Sequence, residues 1–134
     1  MENYQFLEHP SDIKIRASGK SLPEVIIHAA EAMMAFLYDP SSEVTTKISE
    51  NVTVEAESLE SLLVNWLSDI LWFSSTLHSK SVEYQIREFN KNKIVAQIIF
   101  TPSQAQDDIK AVTYHDLKIS QEDHYWVADV VFDI

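Results

Sequence analysis

With 134 residues, the chain is long enough for one domain, residues 1–134, to bury a core without staples. Cysteine is absent, which excludes disulfides, thiolate zinc sites and thiol nucleophiles. The 21 acidic and 10 basic side chains leave a net charge of −11, so strong direct binding to nucleic acid is not expected.

Such a surface favours solubility and draws cations or basic proteins. No apolar run is long enough to cross a bilayer, and the first residues lack a basic-then-apolar signal pattern. The expectation is a cytoplasmic protein without a membrane partner.

In chain order, Asp12 to Ser18 alternates Ile13, Ile15 and Ala17 against Asp12, Lys14 and Arg16, the period of a half-buried strand. Gly19, the only glycine, ends that run. Ser21-Leu22-Pro23-Glu24 then predicts a helix start, with Ser21 as cap, Glu24 in the capping-box position and Pro23 in the first turn. Leu22, Val25, Ile26, Ala29, Ala30, Met33 and Leu37 form its apolar face as far as Asp39-Pro40. A strand from Ile48 to Ala56 follows, with Val52 and Val54 inward.

Ser58 caps a second helix that runs to Ser79-Lys80. Its Leu62, Leu63, Trp66, Leu67 and Ile70 make it apolar round much of its circumference, as a central core helix should be. Four more strands are expected over Val82–Phe89, Lys93–Thr101, Lys110–Ile119 and Tyr125–Asp133, the first two joined by a tight hairpin at Asn90-Lys91-Asn92. This order predicts an α+β fold with two helices packed on one face of a largely antiparallel sheet. In the last strand Trp126, Ala128, Val130 and Phe132 share one face, which leaves Asp129 and Asp133 on the other, open to solvent or a cation.

The candidate chemistry gathers near the two chain ends. Asp133 lies beside the α-carboxylate of Ile134, and Asp12 opens the first expected strand. Oxygen-only donors suit calcium, magnesium or manganese. The same residues also read as solvated carboxylates at strand ends. His9 stands three residues before Asp12, and His115 lies in the polar segment Lys110 to Leu117. Each can serve as acid, base or ligand, or can pin a loop by bonding to backbone.

His28 and His78, on or at the end of helices, read as solvated or as complementing the helix dipole, and His124 as a turn residue. Ser11, between His9 and Asp12, is too close to both for a catalytic triad, and no nucleophile elbow is present. A metal-dependent phosphoester hydrolase using Asp12, Asp133 and His115 is the alternative reading.

Four blocks carry a family resemblance. Glu8-His9-Pro10-Ser11-Asp12-Ile13 resembles E-H-T-A-D-I, and the stretch from Glu55 to Leu67 resembles an acidic strand-to-helix block. Lys110-Ala111-Val112-Thr113-Tyr114-His115 reads K-A-V-T-Y-H, and Val130-Val131-Phe132-Asp133-Ile134 reads V-V-F-D-I. The chain thereby resembles the archease family, small proteins that assist RtcB-type tRNA-splicing RNA ligases.

The resemblance implies an activator rather than an enzyme, one that promotes guanylylation of the ligase and its repeated turnover. It places the family's metal-binding aspartates on Asp12 and Asp133, with Ile134 completing the site and calcium as the usual ion. His9 and His115 become candidates for touching the partner or supporting the metal ligands. Pro10-Ser11 departs from the family's T-A, and Asp116 stands where a glycine usually follows T-Y-H, adding negative charge beside His115.

Overall fold

The computed structural model describes residues 2–41 and 43–134. Seven strands and two helices follow the chain as β1 (Tyr4–Leu7), β2 (Ile13–Gly19), α1 (Leu22–Leu37), β3 (Ile48–Glu55), α2 (Leu59–Leu77), β4 (Ser79–Asn90), β5 (Lys93–Pro102), β6 (Ala111–Glu122) and β7 (Tyr125–Asp133). The fold is α+β, as expected. The strands divide into two antiparallel sheets, one ordered β1-β2-β7-β6 and the other β3-β5-β4. Strand β1 is absent from the sequence reading, because this short edge strand is half-exposed and shows no clean alternation.

Both helix starts form where the capping residues put them. Ser21 Oγ accepts from Glu24 N, while Glu24 Oε2 reaches one residue further back than a standard capping box, to Lys20 N at 2.7 Å. Ser58 Oγ accepts from Ser61 N at 3.1 Å. Gly19 is required by close approach: a Cβ there would stand 2.7 Å from Glu24 Cβ and 3.1 Å from Val25 N. His28, expected to be solvated or to complement the helix dipole, is half-buried, and its Nδ1–H donates to Ser18 O at 2.6 Å, tying α1 to β2.

One hydrophobic cluster joins the inner faces of α1 and α2 to both sheets, through Met33, Trp66, Leu67, Ile98, Phe100, Val130 and Phe132 among others. Trp66 satisfies its indole within that core by donating from Nε1 to Ile26 O at 3.0 Å. Strand β7 is the best-buried strand of its sheet, with residues 127–132 all buried and Asp133 exposed. Its non-core face is therefore covered, which changes the reading of Asp129. That carboxylate is buried and receives both Arg16 Nε (2.7 Å) and Arg16 Nη2 (3.0 Å) from β2.

Candidate functional site

The four-stranded sheet brings three distant segments to one end. β2 and β7 run antiparallel with Ile13 opposite Phe132, so Asp12, in the bend just before β2, and Asp133, the last residue of β7, adjoin the same end of the pair. On the other side of β7, Ala111 of β6 pairs with Asp133, and Lys110 N donates to Asp133 O at 2.7 Å. Asp133 thus sits between the β1–β2 loop and the start of β6. Its side chain lies on the β7 face occupied further along by Asp129, since side chains alternate along a strand. Asp133 and Ile134 are exposed and Asp12 is half-buried. Carboxylates gathered at one sheet end repel one another, and their hard oxygen donors suit a divalent cation of the calcium type.

β6 supplies the second part of the site by breaking register. Thr113 pairs with Val131 and Lys118 with Asp129, so β6 advances five residues while β7 advances two. The surplus bulges outward through Tyr114, His115, Asp116 and Leu117. Thr113 braces it, donating from Oγ1 to Val131 O at 3.0 Å and accepting from His115 N at 3.3 Å. Asp116 adopts φ 53°, a left-handed conformation that Gly, Asn and Asp tolerate best. That backbone requirement accounts for the glycine usual in the resembling motif, and Asp meets it while adding a carboxylate.

The bulge faces the β1–β2 loop. His9 Nε2 lies 3.3 Å from Asp116 Oδ2, and His115 Nε2 lies 3.6 Å from the same oxygen. The two imidazoles meet edge to face with centroids 5.6 Å apart. One ligand atom from each of His9, His115 and Asp116 lies within 4.8 Å of those of the other two. On its far side His9 Nδ1 is buried, has no hydrogen-bond partner, and stands 3.8 Å from Asp12 Oδ2. The hydrogen bond to His9 holds the Asp116 carboxyl below the usual carboxylate range, helped by the nearby His115.

All five residues singled out from sequence, His9, Asp12, His115, Asp133 and Ile134, therefore fall at or beside one end of one sheet. His115 contacts Asp116 and His9, and among the described residues it makes no ion pair with Asp12 or Asp133. Asp116, read from sequence only as added charge beside His115, is the residue that joins the two histidines. Ser11 has φ 65° in the β1–β2 loop and forms no triad. Among the described residues no helix is long and apolar enough to cross a membrane.

Fold and tip together define a class: a small α+β protein with two helices against antiparallel sheets, whose candidate chemistry is cation binding at an exposed sheet end. Residues 4–134 match the model of the Archease protein family (MTH1598/TM1083), and the chain belongs to that family. It is 34% identical over 142 residues to protein archease of Methanosarcina barkeri (strain Fusaro / DSM 804), covering 99% of this chain and 97% of the relative. Protein archease of Pyrococcus abyssi (strain GE5 / Orsay) is 35% identical over 146 residues, with all of both chains covered.

Among solved structures, the solution structure of Methanobacterium thermoautotrophicum protein 1598 matches the whole of both chains with a TM-score of 0.74 and 28% identity. The crystal structure of a Thermotoga maritima archease, described as a possible chaperone, matches with a TM-score of 0.71, covering 96% of this chain and 94% of that one. At 20% identity that second likeness speaks to fold alone.

Proposed function

We propose that this chain activates an RtcB-type RNA ligase, promoting its guanylylation and repeated turnover in tRNA splicing or RNA repair in the cytoplasm. Membership of the archease family supports the reading, and the observation that carries it is the pairing of Ile13 with Phe132, which brings Asp12 and Asp133 to the same end of the sheet. A divalent ion, calcium before magnesium or manganese, fits those oxygens, with the α-carboxylate of Ile134 as a third donor where that residue ends the chain. Once bound, such an ion offers positive charge to nucleotide phosphates or their ligands.

The chain's own residues do the positioning. β7 fixes Asp133 through its buried neighbour Phe132, and β2 brings Asp12 to the same end of the sheet. The negative surface steers this tip toward a basic, nucleotide-holding pocket. His9 and His115 flank the carboxylates, where they can touch the partner.

GTP-dependent labelling of a cognate ligase tests the proposal. Stimulation by the wild-type chain should fall away for Asp12→Ala and for Asp133→Ala, and when residues are appended after Ile134. Undiminished stimulation by both variants would defeat it. Hydrolysis of small phosphoesters by the chain alone would instead favour the hydrolase built on Asp12, Asp133 and His115.

A further inference from the structure

The nitrogen-bearing half of the tip has chemistry that the oxygen pair lacks. Calcium and magnesium take oxygen donors, whereas imidazole selects zinc, copper, nickel and their neighbours. We propose that His9, His115 and Asp116 form a separate transition-metal site of the zinc type, with three protein ligands, an open fourth position, and Asp12 orienting His9 from behind. This site stands apart from the ligase reading, since none of its three ligands belongs to the proposed calcium pair.

The separations fit. Zinc bonds nitrogen and oxygen at about 2.0–2.1 Å, so two ligand atoms of a tetrahedral site lie roughly 3.3 Å apart. The observed spacings to Asp116 Oδ2 are 3.3 Å from His9 Nε2 and 3.6 Å from His115 Nε2. The remaining pair, imidazole to imidazole, is within 4.8 Å. His115 is two-thirds exposed, at 66%, so its ring is free to close that last gap by rotating.

The surroundings fit as well. A metal-bound histidine ordinarily donates its other ring N–H to a carboxylate or carbonyl, which fixes its tautomer and direction. His9 has the required arrangement: Nε2 faces the cluster, and the buried Nδ1 has only Asp12 Oδ2 before it, at 3.8 Å. That gap is too long for a hydrogen bond, and a small shift of His9 onto a metal or of Asp12 toward the ring would close it. A histidine that merely pinned the loop would have no need to leave Nδ1 buried and unpaired.

Cobalt(II) serves as the probe, because tetrahedral coordination gives it intense visible absorption, far stronger than the weak bands of octahedral oxygen coordination. Chelator-treated protein titrated with Co2+ should develop that absorption saturably at one equivalent, and Zn2+ should abolish it. His115→Ala and Asp116→Gly each remove an exposed ligand from a backbone that accepts the change, and each should abolish saturable absorption. Asp133→Asn should retain it, and Asp12→Asn should weaken affinity by roughly 10–100-fold, the usual effect of losing a ligand's orienting partner.

Failure of the wild-type chain to develop tetrahedral absorption would overturn the proposal. So would unchanged affinity in His115→Ala and Asp116→Gly, or loss in Asp133→Asn, which would assign the ion to the carboxylate pair. Ligase stimulation measured on Asp133→Ala fails or survives independently of all these outcomes.

Discussion

Removing one carboxylate from the Asp12–Asp133 pair should have opposite effects with and without a divalent ion. Ile13 pairs with Phe132, so Asp12 and Asp133 are the next residues at the same end of the β2–β7 pair. Opposed residues in an antiparallel pair have Cβ atoms about 5 Å apart. Two unit charges at that distance repel by about 0.8 kcal/mol in water and by about 3 kcal/mol at the effective dielectric of a protein surface. Asp133 is exposed and Asp12 half-buried, so the watery end of that range applies, about 1 kcal/mol at low salt.

In chelator, Asp133→Asn should therefore be the more stable protein, by about 3–4 °C in Tm for a chain of this length. With Ca2+ at about 100 times its dissociation constant, the wild type should gain about 2.7 kcal/mol and overtake the variant, which should respond little. Thermal unfolding followed by circular dichroism, in chelator and across a calcium series, measures both arms. A lower Tm for Asp133→Asn in chelator, or equal calcium shifts in the two proteins, would refute the reasoning.

Other consequences follow from the same coordinates. Arg16→Met strands the buried carboxylate of Asp129 and should cost about 2–4 kcal/mol in urea unfolding, whereas Asp129→Asn leaves a half-exposed Arg16 that water can reach and should cost less. Gly19→Ala drives a Cβ to within 2.7 Å of Glu24 Cβ and should destabilise by about 1–3 kcal/mol, read as a lower urea midpoint with an unchanged m-value. The Asp116 carboxyl should titrate by NMR below the usual aspartate range and move upward in His9→Ala. Because its folded-state pKa is depressed, the stability it contributes is present above the ordinary aspartate pKa and is lost as pH falls through the depressed value.

The helices were legible because their signals are local. Ser21 with Glu24, Ser58, and apolar residues at helical spacing each act within a turn or two, and α1 and α2 formed where those signals lie. The core face of β7 was legible for the same reason. What escaped was set by partners distant in sequence. Division into two sheets depends on which edges pair, and alternation along one strand says nothing about that.

Asp129 looked solvent-facing because the period is right, yet its face is covered and Arg16 stands opposite in register. The bulge in β6 was hidden inside a segment read as an unbroken strand. One residue signalled it: Asp116 replaces a glycine of the resembling motif, and an aspartate there keeps the left-handed backbone that a bulge uses.

The two halves of the tip are positioned by different means, and this explains why they differ in chemistry. Asp133 is tied to the core register: a one-residue slip of β7 would turn fully buried Phe132 out to solvent and drive the carboxylate inward. Losing Phe132 burial costs about 2–3 kcal/mol before any charge is buried, so the position of Asp133 is held as firmly as the core itself. His115 and Asp116 are released from that register by three surplus residues and can meet His9 at distances no regular ladder would provide. A rigid pair of oxygens suits an ion that must be presented in one orientation to a partner. An adjustable imidazole cluster suits an ion that completes its own coordination.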